Sequence, residues 1–362
     1  MYSPSKILTW LKENVQPMRH SRRKTLAAIT SGAMRLQGCG VLALGRAMMG
    51  QTIAKHRIKR VDRFLGNAQV EIREVFSALF NALCPARGDV LVLADWTDRG
   101  AFQQLAFAVT RDGRAMPFLG ITVPKSTTAG EHTGEMVDAE NQALALLESM
   151  CPEGVRPILI ADRGFANRRW LSAIQNRGWG FVQRMRQDHY LVTDSHFGSF
   201  KELGIRRGWR AREHGWGGVF DEYFGPVRAV SVFARDAKEP MYLITNLEDK
   251  TPAQIVRYYQ RRMWIEAMFR DMKNRNLGLG MDGVQLTTSE RMTRHFLILA
   301  LAYLLLCAFG AVAEKLNLAN ELKANTVHQR VLSLARIGSY CIQIADHYPL
   351  NHSINILKAI PD

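Results

Sequence analysis

Two short apolar runs in the 362-residue chain each end on an aspartate, Leu91-Val92-Leu93-Ala94-Asp95 and Ile158-Leu159-Ile160-Ala161-Asp162. Runs this short and this rich in Val, Ile and Leu read as strands covered on both faces. A lone aspartate at the carboxyl end of such a strand can cap the next turn through its side-chain oxygens. Two of them on neighbouring strands of one sheet bring like charges together, which is costly unless a cation stands between them. Ligation by oxygen alone points to Mg²⁺ or Mn²⁺, which take one or two carboxylates together with water and phosphate oxygens.

A third carboxylate comes from residues 256–275, VRYYQRRMWIEAMFRDMKNR, which hold Tyr259, Arg262, Glu266 and Lys273. If the segment is one unbroken helix, a rotation of about 100° per residue puts these four on an arc roughly 60° wide. Glu266 could simply pair with Arg262 or Arg270, four residues away on either side, for a few tenths of a kcal/mol. Such pairing does not explain why a phenol, a guanidinium and an ammonium share its stripe. A face with one metal-binding carboxylate among three phosphate partners does.

The order Asp95, Asp162, Glu266 resembles the DDE triad of bacterial insertion-sequence transposases, whose catalytic core is RNase H-like. The spacing Tyr259-x2-Arg262-x3-Glu266-x6-Lys273 is similar to the YREK signature of one group of them, cut-and-paste elements that open their ends through DNA hairpins. Asp162-Arg163-Gly164-Phe165 and Leu243-Ile244-Thr245-Asn246-Leu247 resemble that group's second and third sequence blocks, so the likeness spans about residues 85 to 300. It implies that Asp95, Asp162 and Glu266 are catalytic and hold two divalent ions, Mg²⁺ or Mn²⁺, while Tyr259, Arg262 and Lys273 grip phosphates beside the cleaved strand. Paired ions would activate a water, or later a 3′-hydroxyl, and stabilise the leaving oxygen, with no covalent enzyme intermediate. The hairpin step needs a flipped base held by an apolar or aromatic side chain. Many members of the group resemble one another in a Trp just before the third block, where this chain has Met241 and Tyr242. Met263 and Trp264 are further candidates for that role.

Charge supports a polyanion partner. The formal net charge is +15, and residues 1–80 carry 14 Lys and Arg against only Glu13, Asp62, Glu71 and Glu74. Within that region TIAKHRIKRVDRF, residues 52–64, spaces Ile53, Ile58, Val61 and Phe64 among cations, as a helix-turn-helix module does when it presents a basic face to phosphates. Arg22, Arg23, Lys24, Lys55, Arg57, Lys59, Arg60 and Arg63 are the candidate N-terminal DNA contacts. A solvated basic surface is the plainer alternative.

The elements that must position these groups follow from patterning. Residues 1–85 read as helices and form a DNA-binding region. Residues 86–185 give three strands in meander followed by alternating helix and strand, the first part of an α/β, RNase H-like mixed sheet core. Residues 186–246 read as a mostly β insertion, 247–300 as the rest of the core with the YREK helix, and 301–362 as a helical C-terminal region. Phe296–Ala313 is 18 residues without a charge, the length at which a membrane span is first considered, and the expectation is a buried core helix. Five scattered cysteines suggest free thiols in a reducing compartment, here the bacterial cytoplasm and its nucleoid. The function expected is metal-dependent transposition on terminal inverted repeats and target DNA, by a homodimer with no membrane and no small-molecule cofactor. A nuclease or resolvase with the same core, a non-catalytic DNA-binding derivative, and a membrane protein are the rivals.

Overall fold

The computed structural model describes residues 4–36, 38–126, 133–276, 278–322, 326 and 331–343. In chain order the helices α1 (Pro4–Asn14), α2 (His20–Ala33), α3 (Val41–Ala47), α4 (Ala54–Gly66) and α5 (Ile72–Leu83) come first. Strands β1 (Gly88–Arg99), β2 (Phe102–Arg111) and β3 (Arg114–Pro124) follow, then α6 (Gly134–Met150), β4 (Val155–Ala161), α7 (Arg168–Gln175) and β5 (Gly180–Met185). Next are β6 (Tyr190–Thr193), β7 (His196–Ser199), β8 (Arg212–Val219), β9 (Phe224–Val232) and β10 (Met241–Thr245). The described chain closes with α8 (Pro252–Gln260), α9 (Met263–Lys273), α10 (Ser289–Lys315) and α11 (Leu334–Gln343). The remainder of the predicted tail, 344–362, lies outside the described residues.

The strands form one mixed sheet in the order β3-β2-β1-β4-β5-β10-β9-β8-β6-β7. β1, β4 and β5 run parallel, and β10 then pairs antiparallel to β5. An antiparallel meander followed by two parallel strands is the arrangement expected of an RNase H-like core. The strands of the 186–246 segment extend this same sheet rather than forming a second one.

Two compact units emerge. The first comprises Met1–Cys84, Trp96–Ala139 and Glu266–Asp362, and the second Pro85–Asp95 and Glu140–Ile265. β1 therefore contributes to both.

The core of the first unit is α10, in which every residue from Met292 to Ala313 is buried. Its apolar run is covered by β3, α2, α4, α5 and α11, so its length and hydropathy serve a core. Small residues set the distances. A Cβ on Gly310 would lie 2.0 Å from the Leu334 carbonyl oxygen, and one on Gly338 would lie 2.0 Å from that of Leu306, so the α10 and α11 backbones touch there. Buried Arg99 ties the end of β1 into this unit: it donates to the carbonyls of Met281 and Met292 (both 3.3 Å) and to His295 Nδ1 (2.8 Å). His295 Nε2 lies 2.7 Å from the Cys39 carbonyl, so the neutral ring accepts from Arg99 and donates to Cys39.

In the second unit the third sequence block has a structural task. Thr245 donates to the Phe181 carbonyl (2.6 Å), while Asn246 accepts from Phe181 N (3.0 Å) and donates to the Trp179 carbonyl (2.8 Å). These bonds lock β10 to the start of β5. Glu140, fully buried, is held by Arg169.

Candidate active site

The register of β1 against β4 is the central geometric fact. Ala94 is paired with Ala161, so the next residue on each strand, Asp95 and Asp162, stands beside the other at the same sheet edge. Neighbouring strands lie about 4.8 Å apart, which makes this pair the close juxtaposition of carboxylates that the two apolar runs suggested. Both are half-buried.

Each already has a partner. Asp95 Oδ2 lies 3.3 Å from Arg262 Nη1, with both side chains largely covered (15% and 13% exposed). Asp162 Oδ1 accepts from Gly164 N (2.8 Å), capping a short 3-10 turn, Arg163–Phe165. The backbone of Asp162 is fixed from below by Gln183 of β5, whose side-chain amide donates to its carbonyl. Tyr259 is buried at the end of α8 in the field of Arg262, Arg184 and Asp162, and burial raises its phenol pKa against the pull of the two arginines, so the hydroxyl stays protonated.

The helix expected to carry Tyr259, Arg262, Glu266 and Lys273 is interrupted. α8 stops at Gln260, α9 starts at Met263, and between them Arg262 N donates to Tyr259 O (2.9 Å) and Ile265 N to Arg262 O (3.0 Å), bonds with the tighter i→i+3 span. The uniform 100° step behind the single arc therefore fails across this turn. Arg261 rests over the rings of Tyr258 and Trp264 (5.8 and 5.5 Å), and Arg262 is the residue whose guanidinium reaches Asp95.

Glu266 and Lys273 belong to the first unit. Glu266 is half-buried in the first turn of α9. Lys273 Nζ donates to the Asp98 carbonyl (2.6 Å) and lies 3.7 Å from Asp282. Among the described residues no three of His, Cys, Asp and Glu are gathered closely enough to hold a metal ion. The donor chemistry of Asp95 and Asp162 nonetheless suits a hard divalent cation: two carboxylates on adjacent strands, oxygen only, with a guanidinium supplying positive charge where an ion would.

Beside Asp162 is a cavity of about 540 Å³ lined by Arg163, Arg184, Arg186, Glu239 and Tyr242, among others. Sequence reasoning missed Arg184 and Arg186. The signal was available, because they sit at the carboxyl end of β5, the third parallel strand, at the edge where α/β sheets bind ligands. Of the candidates for holding a base, Met241 is half-buried, Tyr242 is buried against Phe200 (centroids 5.4 Å apart), Trp264 is half-buried, and Met263 is 54% exposed.

The N-terminal cations divide into two sets. Arg22 holds Glu71 and Gln69, Arg23 donates to the carbonyls of Lys12 and Val15, Arg57 to that of Gly50, and Arg60 to Thr25. Lys24, Lys55, Lys59 and Arg63 are exposed.

The family described as Transposase DDE domain matches residues 112–305, a little more than half of the chain. The chain belongs to that family. The transposase match includes Asp162 and Glu266 and begins after Asp95. No curated protein matches it. Membership makes this a transposase, an endonuclease-type enzyme of DNA recombination that acts on DNA, from a family that generally uses divalent metal ions.

Proposed function

We propose that this transposase is a cut-and-paste enzyme of the YREK, hairpin-forming group. It binds the terminal inverted repeats of its element, hydrolyses one strand to free a 3′-hydroxyl, cuts the second strand with that hydroxyl, and joins the end to target DNA. The reading rests on the side-by-side placement of Asp95 and Asp162 at the ends of two parallel strands. Asp95, Asp162 and Glu266 are assigned the metal-holding role, and two Mg²⁺ or Mn²⁺ ions bound there supply activation of the attacking oxygen and stabilisation of the leaving one.

The chain's own groups position the DNA. Arg262 carries its charge between Asp95 and a phosphate next to the cleaved bond, and the protonated Tyr259 hydroxyl donates to a phosphate oxygen. Lys273 supplies a third phosphate contact. Met263, exposed at the start of α9, is the favoured holder of a flipped base. Residues 1–85 bind the element end through Lys24, Lys55, Lys59 and Arg63, while Arg22, Arg23, Arg57 and Arg60 brace the helices that present them. Two copies acting as a homodimer would hold two ends together, the commonest symmetric solution. The enzyme works in the bacterial cytoplasm on the nucleoid.

The test is a cleavage and strand-transfer assay on a duplex bearing the element's own ends, with Mg²⁺ and supercoiled target. Asp162→Asn should lower cleavage at least a hundredfold while leaving the melting temperature within a few degrees. Unchanged cleavage would refute the site, and cut ends without joined product would identify a nuclease instead.

A further inference from the structure

The second unit neutralises its arginines almost wherever they occur. Arg156, Arg168, Arg169, Arg177, Arg184 and Arg228 each face a carboxylate. One place departs from this rule. Arg206, Arg207, Arg210 and Arg212 fall within seven residues at the entrance to β8, and Arg235 lies beside Gly208 across from them. All five are exposed, and among the described residues none makes an ion pair or a side-chain hydrogen bond. The nearby acids do not offset them: Glu213 is taken by Arg228, Glu239 by Arg184 and Arg163, and only Asp236 adjoins the group without a recorded partner.

The cluster is built rather than loose. Gly208, at φ +88°, donates its N–H to the Phe233 carbonyl (2.7 Å), and Phe233 N–H returns to the Trp209 carbonyl (3.3 Å). That pins the loop to the end of β9. Two aromatic rings then hold guanidiniums in place, Arg212 over Trp209 at 4.1 Å and Arg207 over Phe233 at 5.3 Å. Like charges fixed this close repel one another in the free protein, and a polyanion relieves that repulsion.

We infer that the Arg206–Arg212 loop together with Arg235 is a second DNA-binding surface, which grips the phosphate backbone of duplex DNA without reading its sequence. The inference rests on the transposase reading only for the identity of the polyanion. Flat guanidiniums supported on rings suit phosphate oxygens, since each presents its donors in a fixed fork.

Fluorescence anisotropy with a random-sequence 30-base-pair duplex, titrated across a series of salt concentrations, tests it. Each phosphate contact contributes about 0.9 to the slope of log affinity against log salt. The triple variant Arg206→Ala, Arg210→Ala, Arg235→Ala should lower that slope by about 2 and weaken binding more than tenfold, with the melting temperature unchanged. The single variant Arg210→Glu, at one exposed position, should weaken binding in the same direction. An unchanged slope and affinity in both variants overturns the inference. If Lys59→Ala with Arg63→Ala reduces the slope while the loop variants do not, the second surface is wrong and the transposase reading stands. If the wild-type protein fails to bind duplex DNA, the transposase reading itself fails. Stronger competition by transfer RNA than by duplex, lost in the triple variant, would reassign the surface to RNA.

Discussion

A guanidinium 3.3 Å from Asp95 gives Arg262 two tasks, one in the fold and one toward substrate. Removing it leaves a largely covered carboxylate without its counter-charge, so Arg262→Ala should cost about 2 kcal/mol in urea unfolding. Millimolar Mg²⁺ should raise the melting temperature of that variant more than that of the wild type, because a cation then stands in for the lost charge. Equal shifts in the two proteins would show that Asp95 does not take the ion. His295 makes a separate prediction. Burial and the neighbouring Arg99 depress its pKa from 6.5 to about 3, so the folded protein keeps it neutral while the unfolded chain takes up a proton near pH 6.5. Its contribution is complete above about pH 6.5 and is lost as pH falls toward 3, on the order of 1.4 kcal/mol per pH unit. Replacing His295 with Gln should flatten the acid limb of the stability curve by one proton, measured by urea titration from pH 7 to pH 4.

At the scale of elements, the α10 and α11 contact admits no side chain at Gly310 or Gly338. Either residue changed to Ala should destabilise the protein by about 3 kcal/mol, readable in denaturant melts, with Gly134→Ala, which meets open space, as a neutral control. The strands were the most legible elements. Buried parallel strands require continuous apolar runs, and the runs ending at Asp95 and Asp162 locate β1 and β4 to within a residue or two. The interruption between α8 and α9 was not legible, because the arc through Tyr259 and Lys273 presupposes an unbroken helix and nothing local in QRRMW signals a 3-10 turn. The Asp95–Arg262 pair joins residues 167 apart and the Arg99–His295 bond residues 196 apart. No periodicity carries such pairings, since only the folded sheet brings them together. Half of the basic N-terminal residues were legible as cations but not as braces, for charge type alone does not say whether a carbonyl or a carboxylate lies within reach.

For the whole molecule, net charge makes DNA affinity a steep function of ionic strength. Binding to the random-sequence duplex should weaken by at least a hundredfold between 50 and 200 mM salt, on the order expected for several phosphate contacts, and a flat response would mean the +15 surface is not the interface. The first unit is assembled from three separated stretches of chain, with α10 at its centre and its N-terminal helices some 200 residues earlier. On a ribosome elongating at roughly 5–20 residues per second, the apolar faces of α2 and α5 therefore emerge roughly 10–40 seconds before the helix that covers them is made. Nascent chains that stall or are cut short before Ser289 should be captured by chaperones or degraded. Premature termination would then yield no DNA-binding fragment able to compete for the element's ends, which makes synthesis of the last quarter of the chain a checkpoint on the activity of the first.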